Sequence, residues 1–189
     1  MPAIRKIQVF NNVSLDGFFV DSHGQMSWAH QADPEWAAFS ADNARDGGGV
    51  LVFGRKTFEM MEAFWPSAAA QQQAPEVAAG MTGAEKIVFS RTRNETTWAN
   101  TTFLGGDPAT EMARLKAEPG NDFVIMGSGT IISQLAAARL IDSYQLVVCP
   151  LVLGGGRTLF ESVDERFGLK LVKTRAFGNG NVVLWYELA

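Results

Sequence analysis

Residues that could bind metals or form disulfides are scarce in this chain. Its 189 residues include one cysteine, Cys149, and two histidines, His23 and His30. One cysteine cannot form an internal disulfide, and with only two histidines to join it the chain offers no metal-ligand set. The sequence therefore favours a protein that is reduced, cytoplasmic and free of metal.

Excess positive charge and long apolar runs are also lacking. The 16 lysines and arginines are outnumbered by 20 acidic residues, and the formal net charge of -4 disfavours a nucleic-acid partner. No apolar run approaches the roughly 18 residues that a membrane span requires, and the N-terminal MPAIRKIQVF has no secretory signal pattern. With 47% hydrophobic and 19% charged residues, the composition predicts one globular domain over residues 1–189.

Short apolar runs alternate with helical patterns along the chain. Helices are predicted to begin at Asp33-Pro34 and Asp107-Pro108, where the aspartate serves as N-cap and the proline as first helical residue. The order indicates an α/β protein with a mostly parallel central sheet, helices on both faces and a C-terminal antiparallel hairpin around Gly178-Asn179-Gly180. The predicted strands are Ile4–Val13, Val50–Phe53, Lys86–Ser90, Trp98–Leu104, Phe123–Met126, Tyr144–Cys149, Leu169–Phe177 and Val182–Leu188.

Two other segments are predicted to be irregular. Asp21–Gln31 is expected to form a loop with Trp28 as its one large apolar residue, and Gly47-Gly48-Gly49 is expected to stop the first helix. Ser67–Glu85 is rich in alanine and glutamine, which indicates a mobile connection with a short helix after Pro75.

The turn after the Val50 strand is a candidate phosphate site. Gly54 breaks the strand, and Arg55 and Lys56 follow it. The backbone N–H groups and the dipole at a helix N-terminus favour a phosphate group there. An ordinary turn with two solvated cations is the alternative interpretation.

The helix that follows, predicted over Thr57–Phe64 and ended by Pro66, has one apolar face. This face carries Phe58, Met61 and Trp65 at positions i, i+3 and i+7.

Glycines, hydroxyls and arginines follow five of the predicted strands. In open α/β sheets ligands bind at the carboxyl ends of the strands, so this pattern favours a nucleotide site over simple turn chemistry. The segments are Asn12–Asp16, Gly54–Thr57, Ser90–Arg93, Gly127–Ile131 and Gly154–Gly156.

The ordered set of motifs resembles a known family. GRKT after one buried strand, SR after a second and a glycine pair after a third are similar to the cofactor-binding signature of the dihydrofolate reductase superfamily. The run from GSGTIISQL to LIDSYQLVVCPLVLGGGRTLF resembles, more specifically, the C-terminal reductase domain of the bacterial riboflavin-biosynthesis deaminase–reductase and its stand-alone relatives. The resemblance extends from Ile7 to Tyr186, and the zinc pattern of the deaminase domain is absent from the sequence.

The resemblance implies a dihydrofolate reductase-like fold and NADPH as cofactor. The turn Gly54, Arg55, Lys56 and Thr57 would hold the pyrophosphate, and Gly127, Ser128, Gly129, Thr130 and Ile131 would form a second phosphate-binding turn. Ser90, Arg91 and Thr92 would bind the adenosine ribose and its 2′-phosphate, with Arg93 close by. Asn12, Ser14, Asp16, Trp28, Phe58 and Met61 would line the substrate pocket, although each also has a core or turn interpretation.

The proton donor is less well defined by the resemblance. Glu35 stands four residues before Phe39, a spacing similar to the acid–phenylalanine pair of dihydrofolate reductases, whereas Asp33 is more typical of a helix cap. Asp16 is the other candidate catalytic acid, with a turn role beside Gly17 as its alternative.

Two classes of function remain open from the sequence. The first is an NADPH-dependent reductase, resembling 5-amino-6-(5-phosphoribosylamino)uracil reductase, that transfers hydride to a C=N or C=O carbon of a small heterocyclic or sugar-derived substrate. The second is a non-catalytic NADP(H)- or ligand-binding protein that has kept the fold. The resemblance also implies a homodimer, with Trp185 and Tyr186 of the C-terminal hairpin as candidate interface residues.

Overall fold

The computed structural model describes residues 4–29, 33–46 and 48–189 and joins eight strands into one sheet. Strands β1 to β6 are mutually parallel, whereas β8 is antiparallel to β6 and β7 is antiparallel to β8. The order across the sheet is β4-β3-β2-β5-β1-β6-β8-β7. In chain order the strands are β1 (Ile7–Ser14), β2 (Val50–Gly54), β3 (Lys86–Phe89), β4 (Thr101–Leu104), β5 (Phe123–Met126), β6 (Ser143–Cys149), β7 (Leu169–Ala176) and β8 (Val182–Leu188).

Helices cover both faces of this sheet. They are α1 (Pro34–Asp46), α2 (Arg55–Phe64), α3 (Ala68–Gln73), α4 (Pro75–Gly83), α5 (Pro108–Lys116) and α6 (Gly129–Ala137). Helices α5 and α6 bury their apolar sides against Val50, Val52 and the same face of β1 and β5. Helices α1, α2 and α4 pack on the opposite face, which Leu51 and Phe53 share because alternate strand residues point in opposite directions.

The predicted fold class is confirmed, with corrections to single elements. The first strand begins at Ile7 rather than Ile4, and the helix after Gly54 begins at Arg55 rather than Thr57. His30 and Gln31, expected in the loop after Asp21, and Gly47, expected to end α1, lie outside the described residues.

The expectation of a mobile connection after Pro66 is wrong in its first half, because Ala68–Gln73 forms α3. The helix after Pro75 is confirmed as α4. Small side chains allow α4 to approach α1 closely: a Cβ at Gly80 would lie 3.2 Å from the carbonyl oxygen of Ala44.

A buried lysine fixes the start of β3. Lys86 is 1% exposed, and its Nζ donates hydrogen bonds to the carbonyl oxygens of Thr82, Ala84 and Ala99 at 2.7–3.1 Å. The ammonium group also lies 4.6 Å from the centroid of the Trp98 ring. Burial lowers the pKa of Lys86 to about 8, while three carbonyl acceptors compensate for the lost water.

The C-terminal hairpin forms the last two strands of the sheet. The predicted interface residues Trp185 and Tyr186 are half-buried against the chain's own core, with Trp185 6.1 Å from Phe39 between ring centroids. The large apolar residues that β7 exposes are Leu171 and Val172, each 48% exposed.

Neither a metal cluster nor a membrane-spanning helix occurs in residues 4–29, 33–46 and 48–189. No three His, Cys, Asp or Glu side chains of this part lie close enough to hold a metal ion. None of its helices is long and apolar enough to cross a bilayer.

Candidate functional site

The five polar strand ends meet at one edge of the sheet. β1, β2, β3, β5 and β6 are parallel, so the turns that follow them all leave the sheet at its carboxyl edge. The turns after β2 and β5 are neighbours because these two strands pair directly, from Val50 with Phe123 to Val52 with Ile125.

Two helices begin at this edge without a side-chain cap. Gly54 is the N-cap of α2 and Ser128 that of α6, and in neither helix does the N-cap side chain accept a hydrogen bond from the first turn. By contrast, Asp33, Ser67 and Asp107 cap α1, α3 and α5 with side-chain oxygens. The N–H of Ile131 in α6 donates to the carbonyl oxygen of Ser128, which leaves the N–H groups of Gly129 and Thr130 in that first turn. These groups, the first turn of α2 and the positive dipole ends of both helices are therefore available to an anion.

The two turns are tied to each other by side chains. Ser128 Oγ accepts the N–H of Gly54 at 2.6 Å, and the N–H of Ser128 donates to Thr57 Oγ1 at 3.0 Å. The N–H of Gly127 donates to Asn11 Oδ1 at 2.9 Å. Gly127 has φ +64°, and a Cβ there would lie 2.8 Å from Thr57 Cγ2, so the approach of the two turns requires glycine.

A cleft of about 240 Å³ adjoins this pair of turns. Ser90 Oγ accepts the N–H groups of Thr92 and Arg93, which leaves its O–H hydrogen available as a donor. Arg91 is exposed, and its charge contributes to lowering the pKa of Asp107, although no ion pair within 4 Å is seen for it among the described residues. The cleft is lined by Phe89, Ser90, Arg91, Leu104, Gly106, Pro108, Ile131 and Gln134.

Arg93 does not share the position of Arg91. Its guanidinium lies 2.8 Å from Glu62 Oε2 and 5.2 Å from the centre of the Phe58 ring. Thr96 Oγ1 donates to the same carboxylate. The sequence predicted a ribose role for Arg91 and placed Arg93 close by. In the structure Arg93 pairs with Glu62 and so helps to hold the loop that carries Arg91.

The two cations after Gly54 differ as well. Arg55 is engaged in an ion pair with Glu59, one turn along α2, at 2.9 Å. Lys56 is exposed on the first turn of the same helix. Lys56 can therefore turn toward an anion at the helix N-terminus without breaking an ion pair seen among the described residues.

Asp16 anchors a loop and is poorly suited to donate a proton. Its carboxylate accepts hydrogen bonds from Ser14 Oγ at 2.6 Å and from the N–H groups of Leu153 and Gly154 at 3.1 and 2.8 Å. The hydrogen bond from Ser14, supported by those from the backbone, lowers the pKa of Asp16 to about 2. In the structure this carboxylate is ionised at neutral pH and already accepts three hydrogen bonds, and the role of catalytic acid stays a prediction.

Glu35 is also committed elsewhere. Its carboxylate pairs with Arg175 of β7 at 2.9 Å, on the exposed surface. β7 is three strands from β1 in the sheet, which corresponds to roughly 14 Å at the usual strand spacing. In the structure Glu35 therefore forms a surface ion pair, and the catalytic role predicted for it stays a prediction.

The residues predicted to line a substrate pocket divide into two groups. Asn12 and Trp28 are half-buried on the α1 side of the sheet, and Asn12 Oδ1 is buried without a hydrogen-bond partner among the described residues. Phe58 is fully buried among aromatic rings, so it supports the site from within the core and does not line it. Met61 packs beside Phe58 and accepts the indole N–H of Trp65.

Ser14 is 1% exposed, so like Phe58 it supports the site from within the core. Its hydroxyl donates to Asp16 and accepts the N–H of Phe18.

Sequence reasoning missed two residues at this edge. Asn11 fixes Gly127 from the neighbouring strand, and a polar residue on the core-facing side of an otherwise apolar strand was the available signal. The ring of Phe19 lies against Gly129, where a Cβ would come within 2.3 Å of its Cζ. No local pattern connects residues 110 positions apart, so only the fold could place Phe19 there.

One family model matches nearly the whole chain. Residues 5–183 match the family model described as RibD C-terminal domain. The uncharacterised protein YyaP of Bacillus subtilis (strain 168) is 31% identical over 183 residues, which are 97% of this chain and 95% of YyaP.

Two solved structures share the fold. A proposed riboflavin biosynthesis protein from Shewanella sp. PV-4 superposes with a TM-score of 0.72 at 22% identity, over 97% of this chain and 99% of that one. The diaminohydroxyphosphoribosylaminopyrimidine deaminase/5-amino-6-(5-phosphoribosylamino)uracil reductase of Thermotoga maritima gives a TM-score of 0.63 at 12% identity. That match covers 98% of this chain and 57% of the longer enzyme.

Proposed function

The chain belongs to the RibD C-terminal domain family, and on that premise we propose that it is an NADPH-dependent reductase. Its substrate would be a small heterocyclic or sugar-derived molecule that accepts hydride at a C=N or C=O carbon. The Thermotoga maritima neighbour, which is named as a reductase and shares this fold, supports an oxidoreductase.

The observation that carries the proposal is the meeting of two uncapped helix N-termini beside a cleft. The first turns of α2 and α6 offer unclaimed N–H groups on two neighbouring turns, which fits the two phosphates of a dinucleotide. Gly127 lets the backbone of the second turn approach Thr57, where a side chain would collide. The residues present therefore fit NADPH.

The cleft at Arg91 supports NADPH in preference to NADH. It has room for part of an adenosine, and Ser90 and Arg91 stand at its wall as hydroxyl and guanidinium donors. A guanidinium can pair with the 2′-phosphate through two parallel hydrogen bonds, and NADH has no such group.

The contribution of the protein to the chemistry would be positioning. When bound, NADPH supplies the hydride from the C4 atom of its nicotinamide. The amide oxygen of Asn12 is buried and unpaired, so the side chain would have to turn to accept a hydrogen bond from the substrate. Trp28 can border a flat ring on the same side of the sheet. Because Asp16 and Glu35 are both paired, water is the proposed source of the proton.

A non-catalytic NADP(H)-binding protein is the second candidate. The commitment of both candidate acids to other partners favours it, since a binder needs no proton donor. The two candidates agree on cofactor binding and differ only in turnover.

Cofactor titration followed by an activity screen tests the proposal. Fluorescence titration should give saturable binding of NADPH, tighter than that of NADH. Loss of NADPH absorbance in the presence of a panel of pterins, flavin precursors and imines would then identify a reductase. Binding without turnover of any of these favours the second candidate, and a protein that binds neither dinucleotide contradicts both.

We also propose a homodimer in the cytoplasm. The edge strand β7, with Leu171 and Val172 exposed, offers a surface for a second copy that Trp185 and Tyr186 do not. A reducing compartment suits a chain whose single cysteine, Cys149, is buried and unpaired.

A further inference from the structure

Ser128 adopts a backbone conformation that serine seldom takes. Its φ and ψ are 61° and 58°, in the left-handed region, directly after Gly127 with φ 64°. This conformation is unfavourable for a residue with a Cβ, which comes too close to the following carbonyl oxygen. Strained residues of this kind persist only where the surrounding contacts hold them, and they concentrate at binding sites.

Two hydrogen bonds hold Ser128 in place, and both lead to the other turn. Its Oγ accepts the N–H of Gly54 at 2.6 Å, and its N–H donates to Thr57 Oγ1 at 3.0 Å. We call this pair of hydrogen bonds the Gly54–Ser128–Thr57 brace. It joins residues that are 74 and 71 positions apart in the sequence.

Strand pairing alone does not fix the separation of the two turns. The β2–β5 pairing runs from Val50 with Phe123 to Val52 with Ile125 and stops two residues before Gly54 and Gly127. Beyond that point, the brace links the starts of α2 and α6 by hydrogen bonds, beside the packing of Gly54 against Ile131.

The brace also determines which backbone donors remain for a ligand. The N–H groups of Gly54, Gly127 and Ser128 are all taken by side-chain oxygens of the protein. The donors left at the two turns belong to the first turns of α2 and α6, one set on each side of the brace.

We infer that Ser128 is a positioning residue that sets the spacing of two anion sites, so that both phosphates of a diphosphate ligand are bound together. This inference rests on the proposed function. Its physical basis is preorganisation: a ligand that bridges two turns loses affinity when the turns move independently, whereas one that contacts a single site does not.

The test compares three ligands on four proteins. NADP+ and ADP-ribose carry the diphosphate, whereas 2′-AMP carries only the group expected beside Arg91. Ser128→Ala removes the hydroxyl but keeps the left-handed strain, and Ser128→Gly removes both, so the glycine variant should be the more stable. Ser133→Ala is the matched control, since Ser133 is a buried serine of α6 whose Oγ accepts the N–H of Ser162 away from the brace.

Both Ser128 variants should raise the Kd of NADP+ and of ADP-ribose about ten-fold and leave that of 2′-AMP within about two-fold, by calorimetry or NMR titration. Ser133→Ala should lower the Tm and leave all three affinities unchanged. A glycine variant that binds NADP+ as tightly as the wild type overturns the inference. A variant whose affinity for 2′-AMP falls as much as its affinity for NADP+ overturns it too. A wild-type protein that binds none of the three overturns the proposed function itself, and the inference with it.

Discussion

Arg91→Ala is the most direct test of how this chain would choose its cofactor. The side chain is exposed and has no ion pair in the described part of the chain, so its loss should change the free energy of unfolding by less than about 0.5 kcal/mol. A charge-assisted contact to the 2′-phosphate is worth roughly 1–3 kcal/mol, which corresponds to about a 5- to 150-fold rise in the Kd of NADPH. The Kd of NADH should stay the same, because NADH has no group for Arg91 to bind.

Arg93→Ala is the matched control, and it should show the opposite pattern. Arg93 is 28% exposed, pairs with Glu62 and lies over Phe58, so its removal should cost about 1–2 kcal/mol of stability. The ratio of the NADPH and NADH affinities should change little. Fluorescence titration with both dinucleotides and urea unfolding of each variant measure the two effects separately.

Two results would refute this reasoning. Equal affinity of the wild type for NADPH and NADH would show that Arg91 does not bind a 2′-phosphate. A preference that Arg93→Ala abolishes and Arg91→Ala preserves would show that the roles of the two arginines are reversed.

Three further measurements test the roles of other residues. The pKa of Asp16 is lowered from 3.8 to about 2, so its carboxylate stabilises the fold fully above pH 3.8 and progressively less as the pH falls through 2. Asp16→Asn should therefore show a smaller decline of Tm than the wild type between pH 4 and pH 2. An identical decline in both proteins would contradict the loop-anchoring role. Gly127→Ala should lower the free energy of unfolding by about 1–3 kcal/mol, because its methyl group would lie 2.8 Å from Thr57 Cγ2 at a positive φ. Gly83→Ala, which has open space around it, should unfold at the wild-type urea concentration. Equal urea midpoints for the two variants would rule out the close approach. Light scattering at micromolar concentration should give twice the chain mass of 20.5 kDa, with Leu171→Asp returning a monomer, and a monomeric wild type would remove the dimer.

The fold could be predicted from local patterns because its elements are marked locally. The apolar run before Gly54, the Asp-Pro pairs before α1 and α5, and the turn at Gly178 each specify an element without reference to the rest of the chain. The helix α3 was missed because alanine and glutamine carry no apolar stripe: its one buried residue, Ala70, is fixed by packing, which the sequence does not display.

The segments that form the candidate site could be predicted from the sequence, but the roles of their individual residues could not. Parallel strands bring their carboxyl ends together, so the convergence of the turns follows from the order of elements alone. Which charges remain free depends on partners far along the chain: Glu35 meets Arg175, and Arg93 meets Glu62. Pairings across 140 and 31 positions leave no local pattern, and they decide which groups can reach a ligand.

Because three carbonyl oxygens hold the buried ammonium group of Lys86, chemical modification of this lysine requires local unfolding. Lys6, Lys56, Lys170 and Lys173 are exposed and should react with an amine-specific reagent as fast as free lysine does, whereas Lys86 is 1% exposed. Burial is what lowers its pKa to about 8, so an amine released by local opening regains the ordinary lysine pKa and reacts as the exposed lysines do. The rate at which Lys86 is labelled would therefore measure how often the start of β3 opens from the sheet.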